Sequence, residues 1–322
     1  MHTVLRSPSK EVVIGPGQPF CIIGERINPT GRKAFGEQLR SGDLSQVVVD
    51  VEEQVAGGAH VLDVNMGVPL TDEAELLGNA VRLVQEHTDL PLCIDSSVVE
   101  ALEAGLAAYE GKALVNSVTC EEDRLERVLP LVKEHQAAII CLVNDETGIP
   151  ATAQDRLEVC KRLVEAVHGR YEIPLEDMVI DPLAMTVGAD PQAVVTTLET
   201  IRLIRDEFGL NMTLGASNVS FGLPSRHALG AGFLAVASYA GLTSAIMDAR
   251  YSRTVDACRA ADLLFARDEW AMNWIAAHRQ AEAARSGRSW KTRWGREPRP
   301  RSPPASPCAS SPPARRCGCR PE

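Results

Sequence analysis

Carboxylates and amides recur where short apolar runs of this 322-residue chain end. The residues are Glu25, Asn28, Asp63, Asn65, Asp95, Asn116, Asn144, Asp181, Ser217, Asn218 and Asp248, in stretches such as "VLDVN", "LPLCIDSS", "LVNS", "MVIDP", "LGASN" and "AIMD". Any one of them alone reads as a helix cap or a turn residue. Repetition at so many run ends is harder to assign to local structure. A carboxylate accepts two parallel N–H bonds, and a primary amide offers a donor and an acceptor side by side. Such a ring suits a flat heterocycle with amidine-like and lactam edges, the pattern that a pterin carries in its 2-amino group and N3–H. Asp248 and Asn144 are the members most readily explained as structural; the "IDS", "IDP" and "SNVSFG" segments are sharper signals.

Other chemistries fit less well. The ring holds no His or Cys nucleophile, so a catalytic triad is not expected. Its carboxylates are spread over many segments, not clustered on adjacent loops, and the seven histidines form no ligand group, so no metal site is expected. "CGC" at 317–319 lacks the spacer of a zinc pair and has no histidine near it.

The elements that must carry the ring are legible as alternation. Apolar runs at 20–25, 61–65, 91–95, 113–117, 138–145, 178–182, 212–218 and 244–248 lack period-two polarity, as expected of strands buried on both faces. Helical spacing lies between them. Leu44, Val47, Val51 and Val55 mark one apolar face, Leu125, Val128, Leu129 and Val132 a second, Leu157, Cys160, Val164 and Val167 a third, and Val194, Leu198, Ile201 and Ile204 a fourth. Asp43, Asp155 and Asp190-Pro191 suit helix starts, and Gly57-Gly58 and Gly209 suit helix ends. Eight such units over roughly 250 residues predict an α/β fold of the (β/α)8 barrel type, whose site lies at the strand C-terminal ends. Residues 1–19, with "EVVIGPGQPF", read as a hairpin that plugs the lower mouth of a barrel spanning 20–280.

Composition bounds the partners. Hydrophobic residues make up 45 % and charged residues 24 %, the balance of a soluble globular chain. The net charge is −10, yet residues 281–322 hold ten Lys/Arg against three Asp/Glu, which leaves the first 280 near −17. An acidic body argues against nucleic acid as a partner. No apolar run is long enough to span a membrane, and the N-terminus lacks a signal core. Single cysteines inside apolar stretches read as reduced core thiols of a cytoplasmic protein. Residues 281–322 are rich in Pro, Arg and Ser without apolar periodicity, the composition of a basic disordered tail or of a frameshifted 3′ end.

Several segments together resemble a known family. "IIGERINPTGRK" (22–33), "LDVNMG" (62–67), "CIDSS" (93–97), "LVNSV" (114–118), "TGIP" (147–150), "VIDPL" (179–183) and "GASNVSFGLPSR" (215–226) occur in order. They are similar to the pterin-binding methyltransferases that move a methyl group between tetrahydrofolate and a corrinoid protein, a group that includes the folate-binding module of cobalamin-dependent methionine synthase. The resemblance implies a pterin-binding barrel, commonly a homodimer, with 5-methyltetrahydrofolate or tetrahydrofolate as substrate. It implies that Asp181 takes the amino-pyrimidinone edge, with Asn116 and Asp95 near the adjoining ring nitrogens. Asn218 matches the residue that hydrogen-bonds near N5, and is the expected catalytic residue. Asn28, Asp63, Ser217 and Arg226 match further site positions, while Glu25, Asn65 and Asp248 complete the ring. Cobalamin is expected on a separate corrinoid-binding protein, since no Asp-x-His-x-x-Gly pattern is present.

Two rival readings come from different classes. Dihydropteroate synthase shares the barrel, but is expected to carry Arg-Pro after its second strand and Ser-Arg-Lys late in the barrel. This chain has "NMGVP" (65–69) and "SNVSFG" at those places. The other is a non-catalytic scaffold that keeps the fold and binds a pterin or a corrinoid protein.

Overall fold

The computed structural model describes residues 1–279, so the expectation for 281–322 lies outside the described residues. Residues 1–275 form one compact unit; a second begins at Ala276, and its described residues 276–279 are helical. In the first unit, strands β3 (Cys21–Ile27), β4 (Val61–Asn65), β5 (Leu92–Asp95), β6 (Leu114–Val118), β7 (Ala138–Leu142), β8 (Met178–Asp181), β9 (Asn211–Met212) and β10 (Ser244–Met247) make one parallel sheet. Its spatial order is β10-β3-β4-β5-β6-β7-β8-β9. The ends meet through a bridge between Gly215 and Ile246, where Ile246 N–H donates to Leu214 O at 2.9 Å. The sheet is thus an eight-stranded barrel, closed narrowly between β9 and β10.

Helices α1 (Lys33–Arg40), α2 (Ser45–Gly57), α3 (Glu73–His87), α4 (Val99–Ala108), α5 (Glu122–Glu134), α6 (Ala153–Val164), α7 (Ala193–Phe208), α8 (Arg226–Ala240) and α9 (Ser252–Leu264) pack around it. Gly58 and Gly209 end α2 and α7 in left-handed conformation, as their positions suggested. At α2 the buried face differs from the predicted one. Val55 is exposed, while Asp50 and Gln54 lie buried beside Val47 and Val51. The apolar spacing there misleads because two polar groups on the inner face are paired: Asp50 with Arg32 at 2.5 Å, and Gln54 with Asp248 at 2.9 Å.

Period two governs where each strand residue goes. Cys21, Ile23, Val61, Cys93, Leu114, Ala138, Ile140 and Val179 fill the barrel interior, whereas Ile22, Leu62, Ile94, Val115, Ile139, Cys141 and Ile180 pack on the helical layer. Both destinations are apolar, so the alternation is silent in the hydropathy pattern. Strands β1 (Thr3–Arg6) and β2 (Glu11–Ile14) form the antiparallel hairpin. Its Leu5 and Ile14 are fully buried among the interior residues and plug the barrel's lower end. Asn211 Nδ2 donates to Thr3 Oγ1 and to Ile14 O, which fixes the hairpin beneath β9. All six cysteines of the described residues are buried and unpaired, and no helix among them is long and apolar enough to cross a membrane.

Candidate functional site

The alternation that sends Val61, Cys93, Leu114 and Val179 inward sends Asp63, Asn65, Asp95, Asn116 and Asp181 inward at the strand C-terminal ends. Ladder register sets them side by side: Asn65 faces Asp95, and Asp95 faces Asn116. Asn65 Nδ2 donates to Asp95 Oδ2 at 3.0 Å, and Asn116 Nδ2 donates to Asp63 Oδ1 at 3.2 Å. Glu25 on β3 accepts from Ser217 Oγ at 2.7 Å. These sequence-predicted residues therefore form one constellation across five strands and the loop after β9.

Charge in this constellation is held at a cost. Burial lifts the Asp181 carboxyl to about 7, against the Leu183 N–H it accepts at 2.8 Å and the nearby Arg156 charge. Burial lifts Asp63 to about 6 and Asp95 well above the usual carboxylate range, the latter helped by the Asp63 charge. Glu25 rises to about 7 for the same first reason, with Asp248 and Asp63 adding repulsion. None of Asp63, Asp95 and Asp181 has an ion pair among the described residues. Buried acceptors lacking a cation want N–H donors from elsewhere. A cyclic amidine edge offers two in parallel, and donates them without bringing a net charge into the barrel.

The segment after β9 departs from the predicted strand. Residues Ala216–Ser220 form a 3-10 turn, so Asn218 stands on a turn at the barrel mouth and not at a strand end. Its position is exposed, and a Cβ on Gly215 would come within 3.0 Å of its Nδ2. Arg226, the first residue of α8, donates to Ser217 O at 2.8 Å and Ser220 Oγ at 3.3 Å, and so holds this turn in place. Asn28 closes a local turn by accepting from Thr30 N–H at 2.9 Å. Asp248 is saturated by Arg250 and Gln54, which hold it below the ordinary carboxylate range despite its burial. Asp248 is thus occupied by the fold.

Two cavities open on these strand ends. One of 310 Å³ is lined by Asp95, Ser96, Asn116, Ser117, Thr119 and Arg124. Another of 290 Å³ lies between β3, β10 and α8, with Glu25, Arg26, Ser217, Arg226, His227 and Tyr251 on its walls. Sequence reasoning missed two supporting residues. Arg156 of α6 is buried and donates to Pro182 O and Leu183 O, both at 2.8 Å, which shapes the loop beyond Asp181. Gln54 also accepts from Ala249 N–H at 3.2 Å, tying α2 to the end of β10. The available signal was a polar residue at helical spacing inside an apolar face.

Comparison with known proteins agrees with this geometry. The sequence profile of the family described as pterin binding enzyme matches residues 24–248. The chain belongs to the pterin binding enzyme family. Within it, a methylcorrinoid:tetrahydrofolate methyltransferase from Eubacterium limosum is 30 % identical over 269 residues, covering 82 % of this chain and 97 % of that protein. A methionine synthase from Mycobacterium tuberculosis is 34 % identical over 241 residues, 71 % of this chain. The match spans only 20 % of the methionine synthase. Among solved structures, dihydropteroate synthase from Xanthomonas albilineans with 4-aminobenzoic acid superimposes with a TM-score of 0.62 at 17 % identity, covering 83 % of this chain and 99 % of that one. That likeness concerns the pterin-binding barrel fold.

Proposed function

We propose that this pterin binding enzyme transfers a methyl group between N5 of tetrahydrofolate and the cobalt of a separate corrinoid protein. The observation that carries the reading is the set of carboxylates without cation partners, buried Asp63 and half-buried Asp95 and Asp181, beside the amides of Asn65 and Asn116. The match along nearly the whole length of the Eubacterium limosum methyltransferase supports the reaction class.

In this reading Asp181 accepts the 2-amino and N3 hydrogens of the pterin, and Asp95 and Asn116 bind the adjoining ring nitrogens. Asp63 and Asn65 orient Asn116 and Asp95. The corrinoid cobalt of a docked carrier protein supplies the nucleophile for the methyl group in one direction and the methyl donor in the other. When the methyl–N5 bond breaks, N5 keeps the electron pair and is a poor leaving group unless a proton or hydrogen bond shares that charge. Asn218, on the turn at the barrel mouth, provides this contact as the catalytic residue. An amide serves either protonation state of N5 by presenting oxygen to an N–H or nitrogen to a lone pair. Ser217 sits next to it and connects to Glu25, a group that titrates near neutrality.

The test is spectroscopic. Methylated corrinoid carrier protein mixed with tetrahydrofolate and this chain should demethylate, and the reverse mixture should methylate. Condensation of 4-aminobenzoate with a pterin diphosphate would identify a synthase instead, and silence in both assays would leave only a scaffold.

A further inference from the structure

The cavity of 290 Å³ between β3, β10 and α8 has no role yet in the proposed chemistry. Arg26, Arg226 and Arg250 line it, against the carboxyls of Glu25 and Asp248. All but one of these groups are occupied. Arg250 Nη2 donates to Asp248 at 2.7 Å, Arg226 holds the 216–220 turn, and Glu25 accepts from Ser217. Arg26 is the exception: its half-buried side chain has no hydrogen bond or ion pair among the described residues. Its neighbour Arg32 is matched by Asp50. Burial, and then the like charges of Arg32 and Arg250, press the Arg26 pKa below its ordinary value, yet a guanidinium keeps its charge under such pressure. A cation facing a cavity without a partner suits an anionic ligand.

The proposed pterin placement says which anion. Asp181 takes the pyrimidine edge, and C6 lies at the opposite end of the bicyclic ring, next to N5. Asn218 is the contact proposed for N5, and the two residues before it, Ala216 and Ser217, line this cavity. The substituent on C6 of a folate therefore leaves the ring beside the cavity. That substituent is an aminobenzoyl group ending in glutamate, with two carboxylates. The stacked rings of His227 and Tyr251, whose centroids are 3.4 Å apart, give the same cavity an aromatic wall.

We propose that Arg26 binds a carboxylate of the glutamate tail of tetrahydrofolate, so that the protein selects a folate over a bare pterin. The inference rests on the pterin reading above and adds a second anchor to it. A guanidinium fork meets a carboxylate with two parallel N–H bonds. Asp248 does not oppose this contact strongly, because Arg250 already balances it, and Glu25 is uncharged for part of the time near neutral pH.

Calorimetry tests the proposal with three ligands: tetrahydrofolate, its bis-carboxamide, in which both tail carboxylates are amides, and 6-methyltetrahydropterin. The unaltered protein should bind tetrahydrofolate about tenfold more tightly than the bis-carboxamide. This preference should shrink as salt is raised. Arg26→Met, which keeps the aliphatic stem, should erase the preference and its salt dependence while leaving the affinity for 6-methyltetrahydropterin unchanged. Arg26→Lys should restore part of the preference, and thermal melting of both variants identifies any folding defect. Equal affinity of the unaltered protein for tetrahydrofolate and its bis-carboxamide, or a preference that survives Arg26→Met, would overturn the role of Arg26 while leaving the pterin reading in place. Failure of the unaltered protein to bind any of the three would overturn both.

Discussion

Asn116 Nδ2 donates to Asp63 Oδ1 at 3.2 Å and so links the ends of β6 and β4 across the intervening β5. On β5 itself, Asp95 accepts from Asn65 Nδ2 of β4 at 3.0 Å. Each carboxylate of this pair is therefore steadied by an amide from another strand. The amides leave part of each carboxylate's acceptor capacity open. A ligand that brings N–H groups completes a network that the protein has half built.

This arrangement predicts that Asn65 matters although it need not touch the ligand. Asn65→Leu keeps the volume but removes the donor to Asp95, which pushes that carboxyl further towards its neutral form. Affinity for a reduced pterin should fall about tenfold or more, in line with a hydrogen bond to a charged group. Fluorescence titration reads the change. An unaltered affinity would exclude Asp95 as a contact made through its charged form.

The second prediction concerns pH. The folded-state value for Asp181, about 7, lies above its ordinary 3.8. The group thus favours folding most below pH 4, and this contribution is lost as pH rises through 7. Ligand binding has the opposite sign, because N–H donors need the carboxylate form. Pterin affinity should rise with pH up to about 7 and then level off. Asp181→Asn should abolish most of the affinity, flatten this dependence, and raise stability at pH 8 by roughly 1–3 kcal/mol. Thermal melts at pH 5 and pH 8 separate the effects: the gain should be present at the higher pH and small at the lower.

The hairpin should be separable from the chemistry. Leu5 is fully buried in the barrel's lower end, away from the strand C-termini that carry the site. Leu5→Ala should cost about 2–5 kcal/mol through lost burial and a residual cavity. Methyl-transfer rate and Michaelis constant of the folded fraction should stay within about twofold of the unaltered protein. A selective loss of turnover, at temperatures where the variant is folded, would mean that the plug sets the geometry above it.

How far the site was legible follows from where each residue's signal lies. Asp63, Asp95, Asn116 and Asp181 end apolar runs, so composition and position exposed them and the strands that bear them together. The inward or outward destination of each strand residue was hidden, because barrel interior and helical layer are equally apolar. Gln54 and Asp50 were lost for a related reason: they sit on the inner face of α2, where polarity argues against burial until Asp248 and Arg32 are seen opposite. The run at 212–218 reads as strand because "MTLGASN" is apolar at its start; the chain stays beside β10 as far as Gly215 and turns away only at Ala216.

Asn218 carries the sharpest expectation for catalysis. It lies on a 3-10 turn fixed from both sides, by Arg226 on Ser217 O and by its own N–H donating to Gly215 O at 3.1 Å. Its position is exposed at the mouth, where, in the proposed function, a corrinoid carrier would bring the methyl group. In the proposed function the pterin ring is gripped elsewhere, by Asp95, Asn116 and Asp181, so that binding and bond breaking would fall on different residues. A contact that strengthens only as N5 gains its electron pair lowers the barrier without adding to ground-state affinity. Asn218→Ala should thus reduce kcat about 100-fold or more, the scale of removing one such donor, with pterin Kd within about threefold. Ser217→Ala, which frees Glu25 but leaves the amide, should change kcat less and shift its pH profile near 7. Single-turnover absorbance of the corrinoid, at saturating tetrahydrofolate, isolates the chemical step. Parallel losses of rate and affinity in Asn218→Ala would return this residue to the binding ring and leave N5 without a partner on this chain.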